Sequence, residues 1–315
     1  MATFLSSALV WAVLLQAPAP PVPAESLAAL RGRAVRDSAD AQLWLLMGRA
    51  YLEMGAEAHG PTHRSAEDSS WTRAVLDTAE NALTRAARLA GPAGASSVGD
   101  SARVLRVGTW AARSWLVWEA AGIEAGQLTL GPLPGDLRLP PVLEELGENL
   151  LRACPSGGVL LTAGPADWYA GWYMRFARNL RPDLIVVPPV AWRTDVVLRR
   201  RLAGDLKLGH KTEPGAWLAE LARRRPVCVS MAFDRPPERL KWETRPLVWV
   251  AGAGHTARVP PRDFVFGALR VALDQHDPWA DAALAAYARA VRTTPGLCEP
   301  MATFRVSGEV GSCRR

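Results

Sequence analysis

Gly158-Val-Leu-Leu-Thr-Ala-Gly-Pro-Ala-Asp167-Trp-Tyr-Ala-Gly-Trp-Tyr173, followed by Leu184-Ile-Val-Val187, is the stretch that decides the fold. Three apolar residues, Val159 to Leu161, lead to a Gly-Pro turn, an aromatic amphipathic run follows, and a second short apolar run closes the unit. Short buried-type strands separated by a helix make a βαβ unit. The pattern continues in both directions. Residues 142–153 and 167–180 read as helices, 158–162 and 184–187 as strands. Residues 194–203 and 216–224 read as helices, 227–231 and 247–250 as strands, and 264–273 and 280–291 as closing helices. The expected class is an α/β domain over residues 142–295, with a mainly parallel sheet and Rossmann-like layering.

Residues 25–125 read as all helical. Leu43, Leu46, Met47, Ala50, Tyr51 and Met54 recur at three- and four-residue steps, and so do Val75, Ala79, Ala82, Leu83, Ala86 and Leu89. A third run, Val104 to Ala121, carries Trp110, Trp115 and Trp118 and stops at Gly122. Residues 126–141, rich in Gly, Pro and Leu, read as a linker.

Composition narrows the function classes. The chain has 315 residues, 49% hydrophobic and 22% charged, which is globular composition. Its net charge of +6 rests almost wholly on arginine, with lysine only at Lys207, Lys211 and Lys241. With isoleucine only at Ile123 and Ile185, the skew points to a GC-rich coding bias and not to a nucleic-acid partner. Residues 193–225 are the one basic segment, a solvated helix face or an anionic-surface contact. No stretch after residue 24 is long and apolar enough to span a membrane.

Residues 4–15 have the length of a signal-peptide apolar region, and a proline-rich stretch ends with Val22 and Ala24 before Glu25. Residues 1–24 are therefore expected to be an export signal, although no basic residue precedes Arg31. The four cysteines contain no C-x-x-C spacing. Cys298 and Cys313 frame a C-terminal tail, 296–315, that a disulfide worth about 3 kcal/mol would close in an oxidising compartment; free or buried thiols are the alternative.

Catalytic motifs are weak. His59 and His63 stand four apart, but Gly60-Pro61 between them breaks the helix a metal pair would need, so no metal is expected. Gly252-Ala-Gly254-His-Thr-Ala257 fits a dinucleotide fingerprint, but Pro260-Pro261 follows where a helix should start. His210 and His255 are lone loop histidines. No catalytic residue and no cofactor is assigned.

Two resemblances add to this. Trp44-x-x-Met47-Gly48-x-x-Tyr51, with Ala79-x3-Leu83-x2-Ala86, resembles the tetratricopeptide repeat, with residues 56–70 lengthening its turn. Pro155-x-Gly-Gly-Val-Leu-Leu-Thr-Ala-Gly-Pro-Ala-Asp167, then Arg181-Pro-Asp-Leu-Ile-Val-Val, Arg225-Pro-Val-Cys-Val-Ser and Leu247-Val-Trp-Val-Ala-Gly, is similar to the soluble tail domain of the glycosyltransferase-like membrane proteins grouped as DUF2723. The family's G-D-x-D becomes Gly164-Pro165-Ala166-Asp167, losing its first acid, and the family's membrane half has no counterpart among these residues. Glycosyl transfer is therefore not carried over.

In an open α/β sheet, ligands bind beyond the carboxyl ends of the strands. That places Asp167, Trp168, Tyr169, Trp172, Tyr173 and Trp192 on one rim, suited to a glycan or another amphipathic ligand. The competing reading makes Asp167 a helix cap and Trp172 and Tyr173 core. The expectation is an exported, soluble, non-catalytic binding or scaffold protein of the bacterial cell envelope with a protein or glycan partner. The alternative is an accessory or vestigial enzyme of envelope glycan metabolism that uses Asp167.

Overall fold

The computed structural model describes residues 26–58, 64–123, 130–209, 213–238, 240–252, 264–294 and 297. The signal-peptide stretch, the His59/His63 pair, His210, His255 and the Cys298/Cys313 pair lie outside them. Four helices come first: α1 (Leu27–Arg36), α2 (Ala41–Ala58), α3 (Ala66–Leu89) and α4 (Ser97–Ala121). Then follow α5 (Pro141–Ala153), β1 (Val159–Leu161), α6 (Pro165–Phe176), β2 (Ile185–Val187), α7 (Pro189–Arg193), α8 (Val196–Asp205) and α9 (Pro214–Arg224). The chain closes with β3 (Val227–Ser230), β4 (Glu243–Arg245), β5 (Val248–Ala251), α10 (Gly267–Asp274) and α11 (Ala280–Thr293).

The helix ends follow local chemistry. Ser65 caps α3 reciprocally with Asp68, and Ser96 caps α4 through the Gly99 N–H. Gly122 ends α4 at φ 93°. Between α2 and α3 the close contact is at Gly48, where a Cβ would stand 2.5 Å from the Leu83 side chain. Gly48, part of the repeat-like motif, is thus a point where the two helices approach closely.

The sheet has five strands in the order β2-β1-β3-β5-β4. β1 pairs in parallel with β2, Val159 opposite Ile185, and with β3, Val159 opposite Val227. β5 is antiparallel to both β3 and β4. The sheet is therefore mixed, and the parallel arrangement expected throughout is confined to β1, β2 and β3. A parallel return needs a crossover of a dozen or more residues, usually a helix. Residues 231–247 carry Pro236-Pro237 and no helical apolar period, so the chain comes back as a hairpin. Its turn is Pro246-Leu247, and Leu247 holds φ 65° while fully buried.

Two hydrophobic cores form. The smaller is built from α1, α2 and α3 and takes Ala102, Leu105 and Leu116 from α4. The larger surrounds the sheet and takes Val104, Val107, Trp110, Ala111, Trp115 and Trp118 from the same helix. α4 is thus apolar on two faces and belongs to both cores. Leu137 and Leu139, from the Gly/Pro/Leu-rich segment, are also buried in the larger one. A disulfide joins Cys154, at the end of α5, to Cys228 of β3 across 74 residues of sequence. Sequence spacing had singled out a different pair.

Candidate functional site

The first turn of α6 brings Asp167 to the carboxyl end of β1. Its oxygens accept the N–H groups of Ala163 and Gly164, both at 2.7 Å. The Ser230 side chain, at the end of strand β3, lies near enough to favour the charged form. The side chain is 1% exposed. Burial pushes its pKa up, against the pull of these bonds. The carboxylate therefore acts as a buried helix cap that ties the end of β1 to α6, with both oxygens engaged.

The expected rim separates for a geometric reason. Residues four apart on a helix lie on one face but one turn, about 6 Å, further along it. Trp168 and Tyr169 stay near the strand end, whereas Trp172 and Tyr173 fall one turn deeper into the core. Trp172 Nε1 donates to Ser114 Oγ of α4 at 2.9 Å, and the Tyr173 hydroxyl donates to the Leu137 carbonyl at 3.2 Å. Trp192 is buried edge-on against Phe233, ring centroids 5.4 Å apart, and points its Nε1 at the Thr162 carbonyl. Asp167, Trp172, Tyr173 and Trp192 are structural, and the six-residue rim is corrected to two members.

Those two line a pocket. Trp168 and Tyr169 face Leu52 and Leu76 of the helical region, Trp115 of α4 and Pro189 after β2. The space is about 110 Å³. It lies at the carboxyl ends of β1 and β2, where an α/β sheet presents ligands, but its far wall is helical. Burial also pushes the Tyr169 hydroxyl above its ordinary pKa, so it stays neutral. Two polar atoms here are unsatisfied among the described residues: Trp168 Nε1, and Oγ1 of Thr72, whose residue is 2% exposed. Buried donors without partners are uncommon and call for an explanation.

Leu52, Thr72, Leu76 and Trp115 were not assigned to the site from sequence. Thr72 carried a usable signal, a hydroxyl one turn ahead of Val75 and Leu76 in an otherwise apolar stripe.

The remaining motifs resolve locally. Gly252 stands at φ 103°, with the Ala222 carbonyl 2.5 Å from where a Cβ would be. Close packing on α9 accounts for it, and the rest of the fingerprint lies outside the described residues. In the basic segment, Arg201 pairs with Asp205, Arg223 and Arg224 pair with Glu220, and Arg199 is buried. Much of that charge is spent within the fold.

Asp167→Ala is expected to cost about 3 kcal/mol of unfolding free energy, because it strands two backbone donors in a buried site. Urea denaturation measures it, and binding in the pocket should survive wherever the variant is folded.

Compared with known protein families, curated proteins and solved structures, the chain matches none.

Proposed function

We propose that this chain is an exported, non-catalytic binding protein of the bacterial cell envelope. It takes up one apolar anchor side chain of a protein partner where its tetratricopeptide-like helices meet its α/β part. The observation that carries this reading is the pocket between Trp168, Tyr169, Trp115, Leu52 and Leu76. At about 110 Å³ it is smaller than the roughly 150 Å³ cavity that accepts benzene, so it fits one aliphatic side chain better than a sugar ring with its hydroxyls. Buried apolar anchors in such pockets supply most of the energy of many interfaces. The Trp168 N–H and Thr72 O–H would meet the carbonyl next to the anchor. Export is supported by the buried Cys154–Cys228 disulfide, since such bonds persist in oxidising compartments. The glycan-enzyme alternative has no support from Asp167, which is committed to its cap.

Two measurements test the reading. N-acetyl-leucinamide should quench tryptophan fluorescence saturably. Ala112→Leu, which fills the pocket from α4, should weaken that binding about tenfold. A linear, non-saturating response that Ala112→Leu leaves unchanged would remove the binding site. Separately, residues 1–24 fused to a periplasmic reporter enzyme should carry it across the inner membrane, and an inactive fusion would remove export.

A further inference from the structure

Arg175, in the last turn of α6, carries a charge into the protein that is only partly compensated. Its Nε donates to the Leu184 carbonyl at 3.0 Å and its Nη2 to the Pro182 carbonyl. The guanidinium lies 4.9 Å from the Phe176 ring. Nη1 has no hydrogen-bond partner among the described residues. The residue is 9% exposed. The nearby carboxylate, Asp183, is held by Arg181, whose Nε and Nη2 each lie 2.9 Å from one of its oxygens, and it also accepts the Gly157 N–H. Burial pushes the Arg175 pKa below its ordinary value, and Asp183 opposes this only in part. A buried cation whose nearby carboxylate is already held by another arginine is costly to keep.

Arg175 lines a cavity of about 250 Å³ at the start of β2. The walls are aromatic and aliphatic: Trp115 and Trp118, with ring centroids 4.1 Å apart, and Phe176 and Ile185. The other polar groups there are engaged. Ser114 Oγ donates to the Ala111 carbonyl and accepts Trp172 Nε1, and Trp118 Nε1 donates to Asp205 at 2.7 Å.

We propose that this cavity binds an amphipathic carboxylate, an aromatic or branched aliphatic acid, with its carboxylate beside the Arg175 guanidinium and its apolar body against Trp115, Trp118 and Ile185. One unpartnered guanidinium nitrogen in apolar surroundings suits a singly charged head better than a phosphate, which would leave more charge unpaired and desolvated. The site lies at the opposite end of β2 from the pocket at Trp168 and does not depend on the function proposed for it.

The probes are sodium benzoate, benzyl alcohol, sodium acetate and inorganic phosphate, at fixed ionic strength on the full chain. Benzoate should raise the melting temperature saturably and shift amide resonances of residues 114–118 and 183–186. Benzyl alcohol, acetate and phosphate should each bind about tenfold more weakly or less. Arg175→Met should abolish the preference for benzoate over benzyl alcohol. Equal binding of benzoate and benzyl alcohol would overturn the proposal. So would tighter binding of phosphate, shifts centred on residues 52–56 and 188–190, or no benzoate response. Should Arg175→Met fail to fold, the comparison on the unaltered chain decides alone.

Discussion

Changing Arg64 to methionine is expected to remove about 3–5 kcal/mol of unfolding free energy, as breaking a buried ion pair from one side does. Arg64 precedes the cap of α3, and its side chain is 1% exposed. It grips two carboxylates at once. Nε and Nη2 lie 2.8 and 2.6 Å from Glu119 of α4, and Nη1 and Nη2 lie 2.8 and 3.1 Å from Asp195. Burial works against the charge, but the bonds to Glu119 and Asp195 prevail and raise the guanidinium pKa. Asp195 also caps α8 through the Leu198 N–H. Removing the arginine leaves two acids facing each other out of water. Adding Glu119→Leu to Arg64→Met should recover part of the loss, because one stranded charge goes while the cap stays. Urea denaturation of the two variants measures both numbers. An Arg64→Met loss below about 1 kcal/mol would reduce the triad to a surface-type pair.

The second large effect is expected at the disulfide. Closing a loop of 74 residues between Cys154 and Cys228 is worth about 4 kcal/mol in the chain-entropy account. Replacing both cysteines by alanine should lower the unfolding free energy by about that amount, and the unaltered chain unfolded with reductant should match the double variant. Both sulfurs are buried, so reductant alone should act slowly on the folded chain. A double variant as stable as the parent would show that α5 and β3 are held by packing alone.

Much of the architecture was legible from pattern. The βαβ reading of residues 158–187 rested on two short apolar runs either side of a helix, and β1 and β2 do pair in parallel. Asp167 was legible as a cap for a simple reason. An acid three residues past a Gly-Pro turn sits where the orphan N–H groups of a helix gather. What escaped was long-range. The reversal at β5 depends on a connection without a helical period that ends in the tight turn at Pro246-Leu247, which periodicity within strands cannot register. No spacing rule links Cys154 to Cys228. Arg64 is one arginine among many, and its two acids lie 55 and 131 residues away. The aromatic rim failed through projection. Trp172 and Tyr173 share a helix face with Trp168 and Tyr169 but not its depth, and α4 was waiting to cover them.

That covering helix sets a rule for dissection. Because α4 turns Leu105 and Leu116 to one core and Trp110, Trp115 and Trp118 to the other, a cut on either side of it orphans one half. A fragment ending after α4 keeps three indole-bearing residues with nothing to bury them, a surface that invites self-association. A fragment beginning after it lacks the wall that closes the Arg175 cavity. The two halves hold together in the way of an arch and its keystone, and they are expected to unfold as one piece.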